Sequence, residues 1–245
     1  GGNGMGKSTT LRIIGGLIYP SSGTVLVGGQ NVGGLNAKGW RAVRSNIGMM
    51  FQRGALLDST TVFDNIAFPL REHTDLNSEE VTAQVNECLK KVGLKEGDGH
   101  LLPSQLSGGM MKRVALARSI IHKPAIVLVD EPFSGLDPIT AKRIELLLIE
   151  INKTFGMTLI VVSHDAPSTH RMADHTVIIL SDITVEGAPS ELKNSEDLRI
   201  RNLLAEHVDD AILKEEDDIE SGVAEVKFEK SSQKQIFIKY LQFTN

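Results

Sequence analysis

Gly1-Gly2-Asn3-Gly4-Met5-Gly6-Lys7-Ser8-Thr9 is the stretch on which the reading of the whole chain turns. It fits the pattern G-x-x-x-x-G-K-[ST], with Gly1, Gly6, Lys7 and Ser8 at the fixed positions. The glycines matter because, without a Cβ, they reach the positive φ angles that turn backbone N–H groups inward around a phosphate. In such a loop the lysine reaches the β- and γ-phosphates and the serine hydroxyl sits on Mg²⁺. The next run, Thr10-Leu11-Arg12-Ile13-Ile14, reads as a helix whose N-terminus adds its dipole to the same anion site. A flexible glycine-rich end would not pass straight into apolar residues at helical spacing. A loop of this type follows a buried strand, and none precedes Gly1, so the chain is expected to be N-terminally incomplete.

Outward from that loop, Thr24–Val27 reads as a short strand closed by Gly28-Gly29, and about Asn36 to Arg44 as a polar helix. Ile47–Phe51 reads as a buried strand ending at Gln52, a side chain that could reach Mg²⁺ or an attacking water but, taken alone, reads first as a plain polar strand end. From about 58 to 119 the pattern is helical. Val62–Leu70 is expected to stop at Pro69, and Asn77-Ser78-Glu79-Glu80 caps a helix to about Val92. In that helix Cys88 shares a face with Val81, Val85, Leu89 and Val92, which makes it a small core residue. Leu106-Ser107-Gly108-Gly109-Met110 then opens a helix reaching about His122. A hydroxyl and exposed backbone N–H groups at a helix start form a second anion-binding device, though such a turn is also an ordinary N-cap.

Ala125-Ile126-Val127-Leu128-Val129 is an aliphatic run of the kind that forms a central parallel strand buried on both faces. It ends in Asp130-Glu131, where α/β sheets place their ligands. Asp130 is suited to hold Mg²⁺, and Glu131 to accept a proton from a hydrolytic water. Ser134-Gly135-Leu136-Asp137-Pro138 turns into an amphipathic helix to about Phe155, and Thr158–Val162 is a further strand delivering Ser163-His164-Asp165. His164 at a strand end is placed to meet a γ-phosphate or to serve as an interfacial polar group. Thr176–Leu180 and Ile183–Val185 look like a hairpin, and helical pieces at Pro189–Lys193 and Asp197–His207 finish the fold.

Composition narrows the alternatives. The 245 residues are 41% hydrophobic and 4% aromatic, a balance for aliphatic α/β packing rather than for stacking single-stranded nucleic acid. The net charge of −5 comes from residues 206–230, where ten Asp and Glu meet three Lys and Arg. The body is near neutral, with no basic stripe calling for nucleic acid. The lone Cys88 excludes an internal disulfide and a cysteine metal cluster. No run approaches the roughly 18 apolar residues of a membrane span, so a cytoplasmic location is expected. Residues 209–220 read as a solvated acidic stretch, and 235–243 as an apolar docking segment or a misread frame.

The collinear set of phosphate loop, strand-end Gln, Leu-Ser-Gly-Gly, Asp-Glu, Ser-Gly-Leu-Asp turn and strand-end His resembles the ATP-binding cassette (ABC) ATPases over residues 1–205. The resemblance implies a P-loop NTPase, α/β with a mainly parallel central sheet, plus a helical subdomain over about 58–119 carrying the signature. It implies that Gly1, Asn3, Gly4, Gly6, Lys7, Ser8 and Thr9 bind ATP. It likewise assigns Ser107, Gly108, Gly109 and Asp137 to the nucleotide, Ser8, Gln52 and Asp130 to Mg²⁺, and Glu131, His164 and Gln52 to catalysis. In such proteins two copies sandwich two ATP molecules, the phosphate loop of one facing the signature of the other. Leu-Ser-Gly-Gly-Met and Phe51-Gln52-Arg53-Gly54-Ala55-Leu56-Leu57-Asp58-Ser59, running on to Phe68-Pro69-Leu70-Arg71-Glu72-His73-Thr74, are similar to the ATPase subunits of lipid-transporting Mla/Mce systems. That likeness implies an integral-membrane permease contacting the region after Gln52, a lipid-binding substrate protein as a further partner, and a position on the inner face of the cytoplasmic membrane. An importer or exporter of another substrate, a soluble cassette protein and an inactive fragment are the alternatives. Residues 206–245 match nothing in the family and are expected to be an acidic tail, disordered or partner-docking.

Overall fold

The computed structural model describes residues 6–180 and 182–205. Gly1, Asn3 and Gly4 of the phosphate loop, and the tail at 206–245, lie outside the described residues. The described chain falls into two units, one running to His164 and one from Asp165.

In the first unit, α1 (Lys7–Ile14) starts at Gly6, whose φ of 80° is the left-handed conformation a glycine supplies. A small antiparallel pair follows, β1 (Leu26–Val27) with β2 (Gln30–Asn31), then α2 (Ala37–Arg44), capped by the Asn36 side chain on the Gly39 amide. The second strand of that pair is exposed and polar and has no counterpart in the sequence expectation, which closed the segment at Gly28-Gly29. The central sheet has the order β3 (Ile47–Met50), β4 (Ile126–Asp130), β5 (Thr158–Val162), all parallel. Every residue of β4 is buried, and Val127, Leu128 and Val129 are completely so, each contributing about 1.5–3 kcal/mol of burial. α1 lies on β4 and β5, so Leu11, Ile13 and Ile14 share one core with Trp40, Ile126 and Leu128.

Between β3 and β4 the chain is helical. α3 (Val62–His73) begins at Thr61, whose hydroxyl caps the Asp64 amide. It runs through Pro69 where a stop was expected. A proline removes one helical hydrogen bond and crowds the carbonyl four residues back. Here the last turn is held by Leu70, 1% exposed, and by Thr74, whose amide and hydroxyl both donate to the Leu70 carbonyl. α4 (Ser78–Lys91) has the expected capping box, with Asn77 accepting from Glu80 N and the Glu80 carboxylate accepting from Asn77 N. Two 3₁₀ turns, Glu96–His100 and Pro103–Gln105, lead into α5 (Gly108–Ile120), capped by Ser107. Cys88 donates to the Ala117 carbonyl, and burial pushes its thiol pKa up to about 12, which removes it as a nucleophile. α6 (Pro138–Phe155) is capped by Asp137 and closed by Gly156 in the left-handed region.

The second unit contains α7 (Ala166–Met172), the antiparallel hairpin β6 (Thr176–Ile179) with β7 (Thr184–Gly187), α8 (Pro189–Leu192) and α9 (Leu198–Ala205). Its core is Ile178, Leu192, Ile200 and Leu204. α7, hidden in the sequence by Pro167 and a run of polar residues, is capped by Asp165 on the Ser168 amide. Among the described residues no helix is long and apolar enough to cross a membrane.

Candidate active site

Parallel pairing decides where the site lies. The register Met50 with Val129 and Asp130 with Val162 brings the C-terminal ends of β3, β4 and β5 to one edge. Gln52, Asp130-Glu131 and His164 therefore leave the sheet side by side. α1 packs on two of these strands and carries Lys7, Ser8 and Thr9 in its first turn.

Two short hydrogen bonds organise the edge. The Ser8 hydroxyl donates to Asp130 Oδ1 at 2.8 Å. His164 Nδ1 lies 2.7 Å from Glu131 Oε2. An ionised carboxylate only accepts, and against one Nδ1 is the donor of this bond. Both carboxylates are buried, Asp130 at 4% and Glu131 at 7% exposure. Ser8 and Asp130 meet as hard oxygen donors, the chemistry that Mg²⁺ takes, and Mg²⁺ keeps several of its own waters instead of seeking a full protein cage. No group of three or more His, Cys, Asp or Glu side chains is poised for a metal among the described residues.

Glu131 is unusual in its backbone. Its φ of 47° puts a residue with a side chain in the left-handed region, a conformation costing about 1–3 kcal/mol. The surroundings over-determine it. Its amide donates to the Val162 carbonyl at 2.8 Å, and its carbonyl accepts from the Ser134 hydroxyl at 2.9 Å and from Lys112 Nζ at 3.0 Å. Lys112 also donates to the Gln52 carbonyl and to Ser134 Oγ. Burial pushes the Lys112 ammonium pKa down, and the nearby Glu131 and Asp130 carboxylates oppose that shift. Sequence reading passed over Lys112, because a lysine in a helix ordinarily reads as solvated. The available signal was its register with Ala115, Leu116 and Ser119 on a buried face.

Ser107 and Gly108 stand exposed at the start of α5, where the Ser107 hydroxyl accepts from the Met110 amide at 3.3 Å. A Cβ on Gly108 would make an ordinary 3.6 Å contact with Leu136, whereas one on Gly109 would come within 2.8 Å of the Thr140 methyl. The Ser107–Gly109 turn is thus set beside the entry to α6, where Asp137 caps the Thr140 amide at 3.0 Å and those bonds hold its carboxyl below the usual range. Neither Ser8–Asp130 nor Glu131–His164 involves this turn.

Beyond Gln52, Arg118 donates to the Gly54 and Ala55 carbonyls, and buried Asn65 ties together Leu57, Thr60 and Thr61. These bonds shape a cavity of about 340 Å³ lined by Met49, Phe51, Leu57, Phe68, His73 and His122, with Leu57 and Phe68 nearly half exposed. Burial and the neighbouring His73 push the His122 pKa down, against a smaller opposing contact from the Ile47 backbone.

A parallel sheet delivering acidic and histidine side chains beside a glycine-lysine-serine helix start defines a P-loop nucleotide-binding ATPase. The ABC transporter pattern matches residues 1–134. MlaF of Escherichia coli K12, the ATP-binding protein of an intermembrane phospholipid transport system, is 43% identical over 205 residues, 83% of this chain and 76% of that protein. MetN 2 of Pseudomonas aeruginosa, a methionine import ATP-binding protein, is 42% identical over 186 residues, 76% of this chain and 55% of that one. Among solved structures, the dimeric post-hydrolysis state of the ATP-binding cassette MJ0796 with ADP and Pi superposes with a TM-score of 0.71 at 32% identity, covering 76% of this chain and 82% of that one. The chain belongs to the ABC transporter family and is an ATP-binding, ATP-hydrolysing subunit of such a transporter.

Proposed function

We propose that the chain powers phospholipid transport, hydrolysing ATP at sites that two copies complete together. The observation that carries the reading is the pair of short contacts at the strand ends, Ser8 to Asp130 and His164 to Glu131. Gly6, Lys7, Ser8 and Thr9 cradle the phosphates, with Gly1, Asn3 and Gly4 completing the loop. Ser8 and Asp130 would hold Mg²⁺, with Gln52 as a further ligand; when bound, the ion neutralises charge on the β- and γ-phosphates. Glu131 takes the proton of the attacking water, and the His164 Nδ1–H fixes its carboxylate. Ser107, Gly108, Gly109 and Asp137 serve the nucleotide held by a second copy. Residues 1–205 form the ATPase domain, with 58–119 as its helical subdomain.

The cavity beyond Gln52, apolar on one side and rimmed by Leu57 and Phe68, suits an apolar segment of a membrane permease. The protein then sits in the cytoplasm against the inner face of the cytoplasmic membrane, with a lipid-binding protein as a further member of the system. Likeness to the Escherichia coli phospholipid protein supports lipid as the cargo. The methionine-import relative supports a second reading, a solute importer on the same catalytic plan.

The test is transport by the protein joined to its own permease in phospholipid vesicles. ATP-dependent transfer of a fluorescent phospholipid between vesicles, lost in Glu131→Gln, is the expected result. ATP-driven methionine uptake without lipid transfer would replace it with the second reading.

A further inference from the structure

One side chain on α5 touches three of the segments just described. Lys112 is 6% exposed, and its ammonium spends its three hydrogens on the Gln52 carbonyl at 2.5 Å, the Glu131 carbonyl at 3.0 Å and Ser134 Oγ at 3.2 Å. The Ser134 hydroxyl passes its own hydrogen to the Glu131 carbonyl at 2.9 Å, so Lys112 and Ser134 converge on the same acceptor. None of the three contacts is local to α5. They lie 60, 19 and 22 residues away, at the end of β3, the end of β4 and the turn that leads to α6.

We propose that Lys112 is a positioning residue for ATP hydrolysis: it holds the Glu131 backbone in its left-handed conformation, keeps that carboxylate against His164, and fastens the Gln52 and Ser134 segments to the same centre. The proposal rests on the reading of Glu131 as the group that activates water. A left-handed residue with a side chain returns to the common β or right-handed regions unless its carbonyl and amide are both held. At Glu131 the amide is held by Val162, and three donors reach the carbonyl: Lys112, the Ser134 hydroxyl that Lys112 itself contacts, and the Ser134 amide at a longer 3.3 Å. Without the ammonium, the carbonyl keeps a hydroxyl free to rotate and one long amide contact, and the Gln52 carbonyl loses its charged donor. Lys112 also sits about one and a half turns beyond the Ser107 cap of the same helix. The exposed helix start and the buried Lys112 cluster are therefore joined through continuous helix.

The experiment compares steady-state ATP hydrolysis by the parent protein, Lys112→Met, Lys112→Arg, Ser134→Ala and Glu131→Gln, with thermal midpoints measured on each. Lys112→Met should lower kcat at least about tenfold with KM for ATP held within about twofold, the signature of an interaction needed for the chemical step. Lys112→Arg, which keeps a charge and several N–H donors, should recover most of that loss, and Ser134→Ala should lower kcat by about threefold at an unchanged midpoint. Parent kcat in Lys112→Met overturns the proposal. So does a parallel loss of kcat, nucleotide binding and thermal midpoint that Arg fails to rescue, because that is the behaviour of a merely structural residue. Where Lys112→Met does not fold, parent kcat in Ser134→Ala overturns it instead. Turnover at the parent rate in Glu131→Gln removes the catalytic reading itself, an outcome separate from any result at Lys112.

Discussion

The Glu131 corner and the Ser107 turn differ in how their polar groups are satisfied. At Glu131 the amide, carbonyl and carboxylate each have a partner within the chain, and the residue is 7% exposed. At Ser107 the hydroxyl makes one long cap bond and the first turn of α5 faces solvent with no acidic residue in it. A saturated centre is built to hold one geometry for chemistry on this chain's own side. An open helix start, positive and undercommitted, has capacity left for an anion that comes from outside. The contrast fits the composite site proposed above, one part completed within the subunit and the other left open to a neighbour.

The largest effect should come from the saturated side. Glu131→Gln keeps the shape and removes the base, so phosphate release should fall about 10²–10⁴-fold, while ATP remains bound and copies accumulate as a nucleotide-trapped dimer on gel filtration. Turnover at the parent rate would reduce the Glu131–His164 contact to a structural one. On the open side, Gly108→Asp separates function from stability. The site tolerates a Cβ, and a carboxylate in the first turn favours the helix by about 0.3–1 kcal/mol. The thermal midpoint should therefore hold or rise, while turnover drops at least about tenfold because the carboxylate opposes phosphate. Unchanged turnover would mean that this turn never meets the nucleotide.

The smallest effect concerns Cys88, which belongs to neither region and serves as the control. Its thiol is raised from 9.0 to about 12 in the fold, chiefly by burial. Between those values the unfolded chain has released its proton and the native chain has not. Stability should thus be intact below about pH 9 and decline as pH climbs toward 12. Native protein at pH 8 should resist iodoacetamide and react fully once denatured, and rapid native labelling would contradict the burial of α4 against α5.

These two regions were also unequally legible in the sequence. The continuous aliphatic runs at 126–129 and 159–162 could bury themselves only as central strands, and Asp130, Glu131 and His164 followed from their ends. The Asn77 box and the Asp137-Pro138 entry announced their helices through capping chemistry that is local by nature. Features set by distant neighbours were opaque. Pro69 looked like a stop because Leu70's burial, which carries the helix past it, depends on tertiary packing. β2 exists only as the partner of β1 and has no apolar alternation of its own. Lys112 looked like a surface residue because its partners stand 19 to 60 positions away. The residues assigned to the chemistry could be read, but not Lys112, the residue proposed to set their geometry.

Gly48 has a mechanical consequence. A Cβ there would overlap the Ser119 carbonyl oxygen, so the C-terminal end of α5 rests on β3 backbone to backbone with no side chain as cushion. That seat is a fulcrum. Ser107 lies twelve residues away, an arm of about 18 Å at 1.5 Å per residue. A rocking of about 3° at Gly48 carries the Ser107 hydroxyl about 1 Å, a displacement as large as the margin between a made and a broken hydrogen bond. Small tilts of the sheet are thereby magnified at the helix start, and replacing Gly48 with any larger residue would shift the fulcrum before it altered any group that touches nucleotide.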